Sequence, residues 1–135
     1  MNKKGFTLIE LLAAIVIIGL ISSIAIGGTS MYLDRTRQQA YDAMQETLYS
    51  AAQNYIIDRG VLVSETSGLT LDSATLISNG YIKELEDPKA ATSNTQCSGT
   101  VNVQREKNTG SKLDKYTYTV TLQCSTYTNT KTYNS

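Results

Sequence analysis

The chain has no histidine, no tryptophan, one phenylalanine and one proline. Without histidine, the Ser-His and Cys-His pairings that activate most nucleophiles are excluded. Charge of one sign is also missing as an excess. Twelve Lys and Arg balance twelve Asp and Glu, so the whole chain offers no electrostatic argument for nucleic acid or an acidic partner. There are only two cysteines, Cys97 and Cys124, with no histidine and no second cysteine pair to complete a zinc set. A disulfide formed in an oxidising compartment fits them better than free thiols, and it places the C-terminal half outside the cytoplasm. No catalytic residues, cofactor or metal are expected, and 135 residues leave room for one domain.

What the sequence does contain is one long apolar run near its start. No charged residue occurs from Leu11 to Leu33, and about 20 such residues suffice to cross a hydrocarbon core of ~30 Å as a helix. Lys3 and Lys4 precede the run, an arrangement that keeps the start of the chain in the cytoplasm while the remainder is translocated. Glu10 breaks the pattern, because a carboxylate within a bilayer costs roughly 2.5–3.5 kcal/mol on insertion scales. A conventional secretory signal cut near Ala25-Ile26-Gly27 is the rival reading, but a segment to be discarded has no reason to carry that cost. Glu10 needs a partner, and no Lys or Arg on the same helix can reach it.

The stretch Lys4-Gly5-Phe6-Thr7-Leu8-Ile9-Glu10-Leu11, followed by an apolar helix, resembles the class III signal of type IV pilins and pseudopilins. That resemblance implies cleavage between Gly5 and Phe6 by a prepilin peptidase, N-methylation of Phe6, and retention of the apolar helix. It also implies that Glu10, the fifth mature residue, pairs with the Phe6 amine of a neighbouring subunit. The physics agrees, since a buried carboxylate is tolerable only when paired and the cut creates a new cation. Many members have a proline where this chain has Gly27, followed by Gly28; Gly19 matches a glycine common in the family. Glycine costs a helix interior ~1 kcal/mol and proline ~3. Gly19, Gly27 and Gly28 therefore mark either a place where the helix loosens in a filament or a place of close helix packing.

Beyond the apolar stem, Tyr41, Met44, Leu48, Ala51, Ala52, Tyr55 and Ile56 recur at spacings of three and four, one stripe of an amphipathic helix. Arg35, Arg37, Gln38, Asp42, Gln45, Glu46 and Gln53 are assigned to most of its remaining, polar surface. Arg59-Gly60 supplies a cationic last turn and a glycine stop. The expected division is a leader at 1–5, an apolar half-helix at 6–28, an amphipathic half at 29–60, and a head at 61–135. Within the head, a connector occupies 61–96 and a disulfide-bounded hairpin with its tail occupies 97–135. In the connector, Asp72 is an N-cap for a short helix ended by Asn79-Gly80. Glu84, Glu86 and Asp87 read as a solvated acidic loop in preference to a metal site.

In the last third, Val101, Val103, Tyr116, Tyr118, Val120 and Leu122 alternate with polar residues around the turn signal Asn108-Thr109-Gly110-Ser111. A hairpin whose opposed residue numbers sum to 221 places Val103 opposite Tyr118, Val101 opposite Val120 and Cys97 opposite Cys124, all on one face. Arg105, Lys107, Lys112 and Lys115 around the tip are read as a soluble, charged hairpin end in preference to a DNA-contacting patch. For the tail, Ser125 to Ser135, an edge strand and no regular structure both stay open.

These readings describe an α+β protein, a long N-terminal helix on a small antiparallel sheet as in the type IV pilin fold. The resemblance implies a pilus subunit made at the cytoplasmic membrane as a single-pass precursor, then polymerised with copies of itself into a surface filament by an assembly platform and ATPase. A pseudopilin of a secretion or DNA-uptake system is the alternative within the family, and a secreted binding domain with a conventional signal is the alternative outside it. The tail after Cys124 has no acidic residue, so it lacks the calcium ligands that a major secretion pseudopilin would require.

Overall fold

The computed structural model describes residues 5–89, 95–110 and 113–135, without the side chains of 25–28. The elements run α1 (Leu8–Arg59), β1 (Leu69–Asp72), α2 (Ser73–Ser78), β2 (Ser98–Glu106), β3 (Lys115–Gln123) and β4 (Thr128–Asn134). They form an α+β protein with one four-stranded antiparallel sheet in the order β1-β2-β3-β4. Contacts divide the chain into two compact units, Met1–Gln38 and Gln39–Ser135.

The first unit carries the start of α1. Its apolar side chains are exposed all round, from Leu11 at 59% through Ile18 at 61% to Ile24 at 78%, as expected of a surface that water does not cover in its working state. By length and composition this is a helix able to cross a membrane. The hydroxyls of Ser22 and Ser23 do not interrupt it, because they donate to the carbonyls of Ile18 (2.7 Å) and Leu20 (2.8 Å) on the same helix. The helix runs on through Gly27 and Gly28 without a break.

In the second unit, the last turns of α1 pack on the sheet. Leu48, Ala51, Ala52 and Tyr41 are buried with Val101, Val103, Tyr118, Val120 and Leu122 of β2 and β3. Met44, Tyr55 and Ile56 of the stripe are partly buried against the same core. Gly99 of β2 lies so close to the helix that a Cβ there would fall 2.4 Å from Leu48 Cδ1. Both helices end alike. Gly60 (φ 58°) and Gly80 (φ 80°) adopt the left-handed conformation, and the next amides, of Val61 and Tyr81, donate to Ile56 (3.1 Å) and Leu76 (3.0 Å) carbonyls. Asp72 caps α2 by accepting from the Thr75 amide at 3.1 Å.

The β2–β3 register is the expected one. Val101 is paired with Val120 and Val103 with Tyr118, and Cys97 is bonded to Cys124 across a Cα–Cα distance of 4.3 Å. Of the turn itself, Ser111 and Lys112 lie outside the described residues. The tail is an edge strand. Its inward positions explain why: the Tyr127 ring stacks on Tyr41 (4.0 Å between centroids), the Asn129 carbonyl accepts from Gln45 Nε2 (3.1 Å), Lys131 pairs with Asp42 (3.7 Å), and Tyr133 stacks on Tyr49 (4.5 Å). Gln45, assigned to the polar surface, is fully buried, because β4 needs a donor on α1 for a carbonyl.

Candidate assembly site

Gly5, Phe6 and Thr7 precede α1 in extended or irregular backbone, with Phe6 exposed by 89%. Lys3 and Lys4 lie outside the described residues. Three residues after Thr7, Glu10 occupies the first turn, where the N-terminal end of the helix favours an anion. Its Oε2 accepts from the Thr7 amide at 3.3 Å, and its own amide donates to Thr7 Oγ1 at 3.4 Å. This reciprocal pair is a capping box, the pattern Thr-x-x-Glu at a helix start. No Lys or Arg on the helix can reach Glu10, but Thr7 is a neutral partner in part, and the spacing Thr7-Leu8-Ile9-Glu10 is its signal in the sequence. One amide at 3.3 Å leaves most of the acceptor capacity of a carboxylate unused, since it has about four lone-pair sites.

Gly19 sits in the interior of α1, and a Cβ added there would meet nothing within 4 Å. Packing among the described residues therefore gives no reason for its missing side chain.

The second cluster lies around the disulfide. Asp87, assigned to a solvated loop with Glu84 and Glu86, is 6% exposed, whereas both glutamates are exposed. The difference is in the donors. Tyr41 Oη (3.0 Å) and the Lys89 amide (2.9 Å) donate to Oδ1, and Ser125 Oγ (2.7 Å) and the Ser125 amide (3.4 Å) donate to Oδ2. Foremost the Ser125 hydroxyl, and then the Lys89 amide and Tyr41, hold the Asp87 carboxyl below the usual carboxylate range against the opposing effect of burial. Asp87, Cys97 and Cys124 are close enough to resemble a ligand set, but the sulfurs are bonded to each other and supply no thiolate. Nothing in the sequence around Asp87 signals this role, because its side-chain donors come from residues 46 and 38 positions away.

Of the basic residues at the hairpin tip, Arg105 is engaged by Asp114 at 2.8 Å and Glu65 at 3.6 Å. That leaves Lys107 and Lys115 exposed, while Lys112 is outside the described residues.

Residues 1–26 match the prokaryotic N-terminal methylation motif. Over 100 residues the chain is 28% identical to type IV major pilin protein PilE of Neisseria gonorrhoeae, covering 74% of this chain and 60% of the relative. It is 29% identical over 100 residues to a fimbrial protein of Neisseria meningitidis serogroup A (74% and 59%), and 30% identical over 101 residues to type IV major pilin protein PilE1 of N. gonorrhoeae (74% and 61%). The chain thus spans about 60% of the length of the curated relatives it matches. No solved structure gives a significant match.

Proposed function

We propose that this chain, which carries the N-terminal methylation motif and is similar to type IV pilins, is a structural subunit of a pilus, built by polymerisation and not by turnover. The observation that carries the reading is a single carboxylate, Glu10, capping the start of an otherwise uncharged and exposed apolar stem, five residues after a Gly5-Phe6 boundary.

The mechanism follows from that placement. Before processing, Lys3 and Lys4 hold the start of the chain on the cytoplasmic side of the membrane. A prepilin peptidase cuts between Gly5 and Phe6, removes both cations and creates the Phe6 amine, which is then methylated. The lone pairs of Glu10 that Thr7 leaves unused accept the amine of a neighbouring copy, so pairing does not first require the helix cap to break. An ammonium–carboxylate pair in an apolar surround fixes the axial register between subunits. The stem then moves from lipid into the filament core, and an assembly platform with its ATPase drives the transfer. The absent side chain at Gly19 serves a neighbouring helix, and Gly27-Gly28 lets the stem loosen there. A filament map with unbroken helical density at 27–28 would leave close packing as their role. Adhesion, motility or biofilm formation would be the use of such a filament at the cell surface. The similarity to pilins and fimbrial proteins, with a tail free of acids, supports a pilus over a secretion or competence pseudopilus.

The mass of the mature N-terminus tests the reading. A chain purified from membranes is expected to begin at Phe6 with one added methyl. A start at Gly28 would mean a conventional signal and end the proposal.

A further inference from the structure

Asp87 has no part in processing or in the stem, yet one of its carboxylate oxygens lies within 4.8 Å of the sulfurs of both Cys97 and Cys124. Both of its oxygens are fixed by donors from three places in the chain, namely Tyr41 on α1, the Lys89 amide and Ser125 just past Cys124. All these donors are neutral. Among the described residues no Lys or Arg pairs with Asp87, so its charge is held in place and not cancelled. The disulfide beside it is nearly covered, with Cys97 5% and Cys124 8% exposed.

We propose that Asp87 is an electrostatic guard of the Cys97–Cys124 disulfide, a fixed anion that disfavours the reductive opening of the head by anionic nucleophiles. The effect lies in the electron flow. A nucleophile gives its lone pair to one sulfur, the S–S bond breaks, and the bonding pair leaves on the other sulfur as a thiolate. With an anionic reagent, charge both arrives and develops next to the carboxylate, and like charges at this separation repel. The free thiols formed would also be harder to ionise beside Asp87, which makes each a poorer leaving group. Thiolates are the nucleophiles that open and reshuffle disulfides, so the guard acts against that exchange.

The clasp also ties the connector to α1, so the test must separate charge from simple loosening. The full oxidised chain in detergent is treated at mildly alkaline pH with tris(carboxyethyl)phosphine, which is anionic, or with tris(hydroxypropyl)phosphine, which is not. Each reaction consumes one phosphine and one water and yields the phosphine oxide and two thiols, whose release is timed. Asp87→Asn is expected to raise the anionic rate about tenfold more than the neutral rate. Ser125→Ala keeps the charge and loosens its hold, and is expected to raise both rates by one factor. In the wild type, salt near ~1 M shortens the screening length to ~3 Å and is expected to speed the anionic reagent selectively. The salt series needs no variant and stands even if Asp87→Asn fails to oxidise. Equal acceleration of both reagents by Asp87→Asn, a changed ratio in Ser125→Ala, or a ratio insensitive to salt would each overturn the guard. None of these outcomes depends on whether the subunit forms filaments.

Discussion

Cells making Glu10→Ala or Glu10→Gln are expected to process the subunit normally, retain it in the membrane and shed almost no filaments on shearing. Removing one partner of a buried ion pair leaves the other uncompensated, at a cost of roughly 3–5 kcal/mol. Every subunit would repeat that cost, so a weakening of roughly 10²- to several 10³-fold at each addition step stops growth. The two substitutions divide the work of the side chain. Gln retains an oxygen able to accept from the Thr7 amide at the 3.3 Å site, whereas Ala loses cap and charge together. Filaments in normal yield from Glu10→Gln would show that the helix cap is what assembly requires, and the charge-pairing account would be abandoned.

The second large effect concerns the contact between α1 and β2. Leu48 has no exposed surface, and Leu48→Ala is expected to destabilise the head by about 2–5 kcal/mol through lost burial and an incompletely closed cavity. Gly99→Ala acts from the other side, because its new Cβ would lie 2.4 Å from Leu48 Cδ1 and 3.3 Å from Cδ2. Overpacking of that kind costs about 1–3 kcal/mol. The contacts are to the end of the leucine side chain, so Leu48→Ala opens the space that a methyl group on position 99 needs. The double variant is therefore expected to be less destabilised than the sum of the two single variants. Denaturant unfolding of the full chain in detergent, with the disulfide intact, measures all three. Additivity within ~0.5 kcal/mol would mean that the two residues do not meet as described.

The parts of this fold that could be read from sequence are those whose signal is local. Alternation in Val101, Val103, Tyr118 and Val120, a turn between them and two cysteines at matching distances from it all give one register, and the pairing follows it. The caps of α2 were legible for the same reason, since Asp72 and Gly80 act within a few residues of where they stand. What could not be read depends on residues far apart in the chain. Asp87 looks like one of three loop acids, and only the arrival of Tyr41 and Ser125 distinguishes it from Glu84 and Glu86. Gln45 looks like helix surface until Asn129 is placed over it. The inward side of the tail reads Tyr127, then Asn129, Lys131 and Tyr133 of β4, which is not an apolar alternation, so its strand signal is weak; partners on α1 supply what hydrophobic patterning does not. At the assembly site, Gly5, Phe6 and Glu10 stand out as a motif, while the capping role of Thr7 is carried only by its spacing to Glu10.

That zipper of β4 onto α1 sets a schedule for making the molecule. The Gln45–Asn129 hydrogen bond joins residues 84 apart, so α1 is synthesised before the strand that shields its flank exists. Until then Tyr41, Gln45 and Tyr49 stand uncovered, and pairing a strand at so long a range is slow compared with forming a helix. The head is therefore complete only once β4 has closed over Tyr41, Gln45 and Tyr49 of α1.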